Sequence, residues 1–223
     1  MDTFQTSANT APADQSIRTY VEGAWSQTLL NDAASLIQRN ELNPHGLPAK
    51  FRPDEKESDR EYVHFSNYAY FLGCLAKTKG ADFCVFFHDC DDLSLERLAR
   101  AMQRGFRLSH FDGAVRMTPK PTSEAWILAA IKTADGQGLR NEADGRRFEE
   151  ALKPNDRNPR CAKATLAQHV TGDSTIMQLS RVDYDACLSR INAMADGWAV
   201  IGRLPSGKLF AESVREAVRH LQW

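Results

Sequence analysis

The chain has little of what would assign it at sight. Its five cysteines, Cys74, Cys84, Cys90, Cys161 and Cys187, are odd in number, widely spaced and contain no C-x-x-C pair. That pattern supports neither a disulfide framework nor a structural zinc site. Charge of one sign is not in excess: 28 Lys and Arg face 29 Asp and Glu, for a formal net charge of -1. Such balance argues against a protein that coats nucleic acid in general, although a local basic groove remains compatible with it. No apolar run reaches the length of a membrane span. The stretch from Met1 to Gln15 lacks the basic and apolar regions of a signal peptide. The expectation is a cytoplasmic chain with reduced thiols and no membrane partner. There is no G-x-x-x-x-G-K-[ST] loop, no internal repeat and no low-complexity tract.

What is present is ordinary globular composition, 42% hydrophobic and 26% charged over 223 residues, enough for a sizeable core. Residues 1–16 read as a loose tail rich in Thr, Ala and Ser. Ile17–Val21 is a short strand-type run ending at Glu22-Gly23. A helix follows, with Trp25, Leu29, Leu30, Ala33, Leu36 and Ile37 on one face. Residues 41–61, broken by Pro44, Gly46, Pro48 and Pro53, read as a loop or insertion, and Phe65 to Leu75 as mostly helix ending at Gly80.

Phe83–Phe87 is the most hydrophobic run and is followed at once by acidic residues. That is how a strand buried on both faces of a parallel sheet reads. A helix over Ser94–Gln103, a strand over Gly113–Met117 and a helix over Thr122–Ile131, capped by Thr122 or Ser123, come next. Residues 133–147 and 153–160 read as loops. Two amphipathic helices close the chain, one carrying Tyr184, Cys187, Leu188 and Ile191, the other Phe210, Val214, Ala217, Val218 and Leu221. The expected fold is α/β: a mainly parallel sheet flanked by helices over residues 17–131, with a mainly helical portion, residues 132–223, packed on it as an extension.

In open α/β sheets, ligands bind outside the carboxyl ends of the strands. Two such ends carry carboxylates here: Glu22 after the first strand, Asp89 and Asp91 after Phe83–Phe87. Residues two apart in an extended segment point the same way, so Asp89 and Asp91 are expected to face one ion together. A few oxygen ligands with little else nearby suit Mg²⁺ or Mn²⁺.

Tyr20-Val21-Glu22-Gly23 with Ser26 and Leu29-Leu30, followed by Val85-Phe86-Phe87-His88-Asp89-Cys90-Asp91, resembles the two main motifs of the topoisomerase–primase, or Toprim, family. A third segment, Pro119-Lys120-Pro121-Thr122-Ser123-Glu124 running into Ala125-Trp126-Ile127-Leu128, resembles one in uncharacterised bacterial Toprim-like proteins. Many of those look like members of phage-defence or mobile-element loci. The resemblance covers residues 17–131; the motif separation, 89 − 22 = 67 residues, is longer than in a compact Toprim core, and the loop at 41–61 accounts for the excess. It implies metal ligation by Glu22, Asp89 and Asp91, with Glu124 as a further ligand or support and Lys120 steadying a scissile phosphate.

Each residue also has a plainer reading. Glu22 is then a turn residue, Asp92 a helix cap, Glu124 a charge at the positive end of its helix, and Lys120 an exposed loop lysine. Arg97, Arg100 and Arg104 share a helix face able to touch phosphates, though a solvated face is the commoner outcome. His88 and Cys90 point to the face opposite the acidic pair and are read as structural. Three functions stay open. The first is a Mg²⁺- or Mn²⁺-dependent nuclease acting on a nucleic-acid backbone, in a defence or mobile-element system. The second is a non-catalytic binding or regulatory subunit working through an ATPase or other partner protein. The third is a phosphohydrolase of small phosphate esters with Asp89 as nucleophile. The chain lacks the length of a topoisomerase and the zinc module of a primase.

Overall fold

A computed structural model describes residues 19–23, 27–39, 58–154 and 157–220. The tail expected over residues 1–16, the position of Trp25 and most of the 41–61 segment lie outside them. The chain divides into two compact units. The first holds the described residues up to His88, Glu96–Met117 and the chain from Glu212 onward; the second holds Asp89–Leu95 and Thr118–Ala211.

The first unit is built on three strands, β1 (Thr19–Gly23), β2 (Phe83–Phe87) and β3 (Ala114–Met117), in spatial order β1-β2-β3 with both pairs parallel. Val21 pairs with Val85, and Val85 with Val115, so β-branched residues line up across the sheet. Strands β1 and β2 are parallel neighbours, as a mainly parallel sheet requires; β1 contains Glu22 and Gly23, and Ile17 and Arg18 lie outside the described residues. Parallel neighbours require crossovers, and helices α1 (Gln27–Gln38), α2 (Ser58–Thr78) and α3 (Leu95–Ser109) supply them. These elements make the chain α/β.

Strand β2 is not buried equally on both faces. Cys84 and Phe86 are wholly buried, while Phe83, Val85 and Phe87 between them are half-buried. The period of two assigns one face to the core, where Phe86 meets Phe106 of α3 edge-on at 6.3 Å. Helix α2 starts inside the segment read as a loop; after Pro53 no Gly or Pro interrupts the sequence until Gly73. It ends as expected at Gly80, whose φ of 62° is left-handed. Gly80 donates to Lys77 O and Ala81 to Ala76 O, the double bond pattern of a Schellman cap.

Helix α3 runs six residues beyond its expected end because Gly105 serves as a packing contact rather than a break. A Cβ there would lie 2.0 Å from the Ser66 carbonyl oxygen of α2. Leu98, Ala99, Met102 and Phe106 bury one face of α3. Arg97, on another face, places its guanidinium 4.2 Å from the centre of the Tyr62 ring. On β3 the Arg116 amide donates to Ser213 Oγ and its guanidinium to Glu216, both in the part of helix α8 (Pro205–His220) that belongs to this unit.

The second unit is helical. Its centre is α4 (Ser123–Ala134), in which every residue from Ala125 to Ile131 is buried. A helix apolar on all sides must be enclosed. Helix α6 (Ala162–Thr171), helix α7 (Arg181–Asn192) and a short 3-10 turn (Ala199–Arg203) pack on it. Helix α5 (Glu142–Ala151) lies against the 3-10 turn through Gly145, where a Cβ would meet the Arg203 carbonyl at 2.0 Å. Residues 142–147, read as loop, are therefore helical, and α6 was not expected at all. Asn141 caps α5, and Ser180 caps α7, each accepting from the amide three residues on. The expected Tyr184–Ile191 helix is α7, and the expected closing helix is α8. Among the described residues no helix is long and apolar enough to cross a membrane.

Candidate functional site around Asp89 and the start of helix α4

Beyond β2 the ladder continues: His88 N–H donates to Met117 O, then Cys90 N–H to Pro119 O. The next amide, Asp91 N–H, donates to Pro121 O, and Leu93 N–H turns back to Cys90 O. This turn sets Asp91 at φ 50°, in the left-handed region. The extended backbone on which Asp89 and Asp91 were expected to point the same way is thereby corrected: the amides of Cys90 and Asp91 bond the Pro119 and Pro121 carbonyls, and the chain turns at Asp91. Cys90 is wholly buried, its Sγ near Thr118 O, and burial pushes its thiol up to about 12, which leaves it inert at neutral pH. His88 stacks on Phe65 at 4.5 Å, and burial lowers its basicity, as suits a structural role.

Asp89 reaches the N-terminus of α4. Its Oδ1 accepts the Ser123 N–H at 2.7 Å. Thr122 occupies the cap position but makes no side-chain cap; its hydroxyl donates to Glu124 Oε2 at 2.7 Å. The helix is thus capped from a distance, by a carboxylate where a local hydroxyl was expected. Burial pushes the Asp89 carboxyl up to about 6; Glu124 and Asp91 push the same way, while the Ser123 amide and Lys163 oppose them. Asp89, Asp91 and Glu124 therefore form one electrostatic group. Asp89 Oδ2 and Glu124 Oε1 make no hydrogen bond among the described residues.

Lys163 lowers the Asp89 carboxyl, the smallest of the influences on it. Lys120 lowers the Cys90 thiol and the Glu149 carboxyl. Glu22 lies in β1, opposite Phe86, and its side chain is outside the described residues. The expected convergence of Glu22 with Asp89 and Asp91 therefore falls outside them too. Among the described residues no group of three or more His, Cys, Asp or Glu side chains is arranged to hold a metal ion.

Three features of this unit escaped sequence reasoning. A cavity of about 320 Å³ opens beside Glu124, with Lys163 of α6 and Arg181 and Tyr184 of α7 in its wall. Burial raises the Tyr184 phenol, and Glu124 and Asp89 raise it further, so it stays protonated near the carboxylates. Glu149 of α5, 4% exposed, accepts from both the amide and the hydroxyl of Ser206, and Ser206 accepts from Trp126 Nε1 at 2.8 Å. Finally, Asp135 accepts from His169 at 2.8 Å and from Arg190, tying the end of α4 to α6 and α7. No sequence signal marked these groups, because each is brought together by helix packing.

The chain matches no protein-family model, no curated protein and no solved structure.

Proposed function

We propose that the protein is a Toprim-like, divalent-cation-dependent hydrolase of nucleic-acid phosphodiester bonds, with Asp89 at its centre. The carrying observation is geometric: Asp89, just beyond the end of a parallel strand, accepts from the Ser123 amide next to Glu124, and Glu124 and Asp91 add to the rise that burial gives the Asp89 carboxyl. The like charges that Glu124 and Asp91 place near Asp89 are offset by a cation. Mg²⁺ is commonly held by one or two carboxylates together with waters and substrate phosphate. Asp89 Oδ2 and Glu124 Oε1, which make no hydrogen bond among the described residues, suit that donor set, with Asp91 as a third carboxylate of the same segment and Glu22 assigned by motif alone. When bound, the ion supplies an activated water and offsets charge developing on the phosphate.

The protein's own groups divide the remaining work. The Ser123 amide holds Asp89 Oδ1 and so fixes the carboxylate plane. Lys163 limits the local negative charge that an approaching phosphate would meet. Lys120 follows β3 and belongs to the same reading as a phosphate-steadying cation.

Asp89→Asn tests this reading. It removes a charged ligand at nearly constant volume and keeps an acceptor for the Ser123 amide. Single- and double-stranded DNA and RNA are incubated with Mg²⁺ or Mn²⁺, with EDTA as control. The hydrolase reading expects wild-type cleavage that EDTA and Asp89→Asn both abolish. Cleavage by the variant at the wild-type rate moves the chemistry elsewhere. Equal thermal shifts with metal for both proteins remove the metal from this site.

A further inference from the structure

The wall of the cavity beside Glu124 is mixed in a particular way. Lys163 and Arg181 supply two cations, Tyr184 an aromatic ring with a protonated hydroxyl, and Leu166 and Leu179 apolar surface. Gln178 adds an amide that can both donate and accept. The cavity measures about 320 Å³, at the small end of the range for sites that enclose one small molecule. Single-stranded nucleic acid is recognised by this combination: bases stack on aromatic or apolar surface while cations follow the backbone. A duplex keeps its bases stacked inside and does not offer one base to a pocket of this size. The same cavity shares Glu124 with the carboxyl group around Asp89, so an occupant would place its phosphate next to those carboxylates.

We propose that this cavity binds one unpaired nucleoside-phosphate unit, its base against Tyr184 and the leucines and its phosphate between Lys163, Arg181 and the Asp89–Glu124 carboxylates. The inference deepens the hydrolase reading, on which it rests for the position of the reacting phosphate; the binding of the unit is separately measurable. Because the Glu124 carboxylate forms part of the wall, phosphate binding is favoured when a divalent cation is present. The source of the unit is either a free nucleotide or an unpaired position in a strand, and both present the same chemistry.

The test uses the full chain with Ca²⁺ as the cation. AMP, adenosine and inorganic phosphate are titrated by calorimetry, and a short single-stranded oligonucleotide and its duplex by fluorescence anisotropy. The expected result is binding of AMP that exceeds both adenosine and phosphate, strengthens with Ca²⁺, and weakens about tenfold or more in Lys163→Ala and in Arg181→Ala. The Arg181 side chain is 95% exposed, so Arg181→Ala leaves the fold intact, and a wild-type melting curve verifies it. An oligonucleotide bound more tightly than AMP assigns the unit to a strand; equal affinity assigns it to a free nucleotide. Wild-type affinity in both variants overturns the proposal, as does tighter binding of the duplex than of the single strand, or of phosphate than of AMP. Loss of cleavage in Asp89→Asn alongside unchanged binding in the cavity variants would leave the hydrolase reading standing and remove only this inference.

Discussion

Glu149→Gln isolates the cost of a buried charge. Glu149 is 4% exposed, and burial pushes its carboxyl up to about 7, against an ordinary value of 4.5; Glu150 adds to the rise, and the two Ser206 donors and Lys120 oppose it. A carboxyl that holds its proton more tightly when folded contributes stability that is fully present below pH 4.5 and lost as the pH climbs through about 7. The gap between those values corresponds to about 3 kcal/mol lost by pH 8. Gln keeps a carbonyl oxygen for the Ser206 amide and hydroxyl, keeps the volume, and cannot ionise.

Urea denaturation of the wild type and Glu149→Gln, followed by tryptophan fluorescence at intervals from pH 5 to pH 8, reads the difference directly. The variant gains on the wild type as the pH rises, by up to about 3 kcal/mol across the window. Other titrating groups, Asp89 among them, act on both proteins and cancel in the difference. A difference that stays constant from pH 5 to pH 8 would falsify the assignment of the buried proton to Glu149.

Three further outcomes are expected. Gly105→Ala drives a methyl into the Ser66 carbonyl and lowers stability by about 1–3 kcal/mol, whereas Gly202→Ala, with nothing within 4 Å of its Cβ, stays within about 0.5 kcal/mol; equal melting temperatures for the two would refute the helix contact. Asp135, held below the usual carboxylate range by its bonds to His169 and Arg190, contributes stability that is present above that range and lost on acidification. Asp135→Asn should therefore be destabilised relative to wild type at pH 7, with the gap closing as the pH falls through the carboxylate range; a pH-independent gap rejects the junction. Calcium should raise the melting temperature of the wild type more than that of Asp89→Asn, and an equal rise in both counts against a cation at Asp89.

Elements whose apolar pattern is complete in themselves were legible in the sequence. Phe83–Phe87 reads as a strand from its continuous apolar run, and α7 and α8 read as helices from their spacing. Elements shaped by a remote contact were not. Gly145 makes α5 read as a loop, yet its missing side chain is what admits the Arg203 carbonyl. Helix α6 presents Ala162, Ala164 and Ala167 inward, small residues that give weak periodicity but allow close packing on α4. In the candidate region, Asp89 and Asp91 were legible as carboxylates following an apolar strand run, and Glu124 as one at a helix start. Lys163, Arg181 and Tyr184 were not, because each reaches the site through helices far along the chain. The turn at Asp91 was hidden for a related reason: its partner is the carbonyl of Pro121.

The cap on α4 comes from a residue 34 positions upstream. The strap that bears it, Asp89–Leu95, belongs to the second unit but is separated from the rest of that unit by Glu96–Met117. A fragment cut to begin at Thr118 would carry the buried helix without the carboxylate that closes its first turn, leaving the Ser123 amide without its acceptor. Dissection of this protein by contiguous truncation thus removes Asp89 and Asp91 together with the cap at the start of α4. Expression of the helical portion alone would report on a damaged unit, and a circular permutation that keeps the strap attached is the form in which it is best isolated.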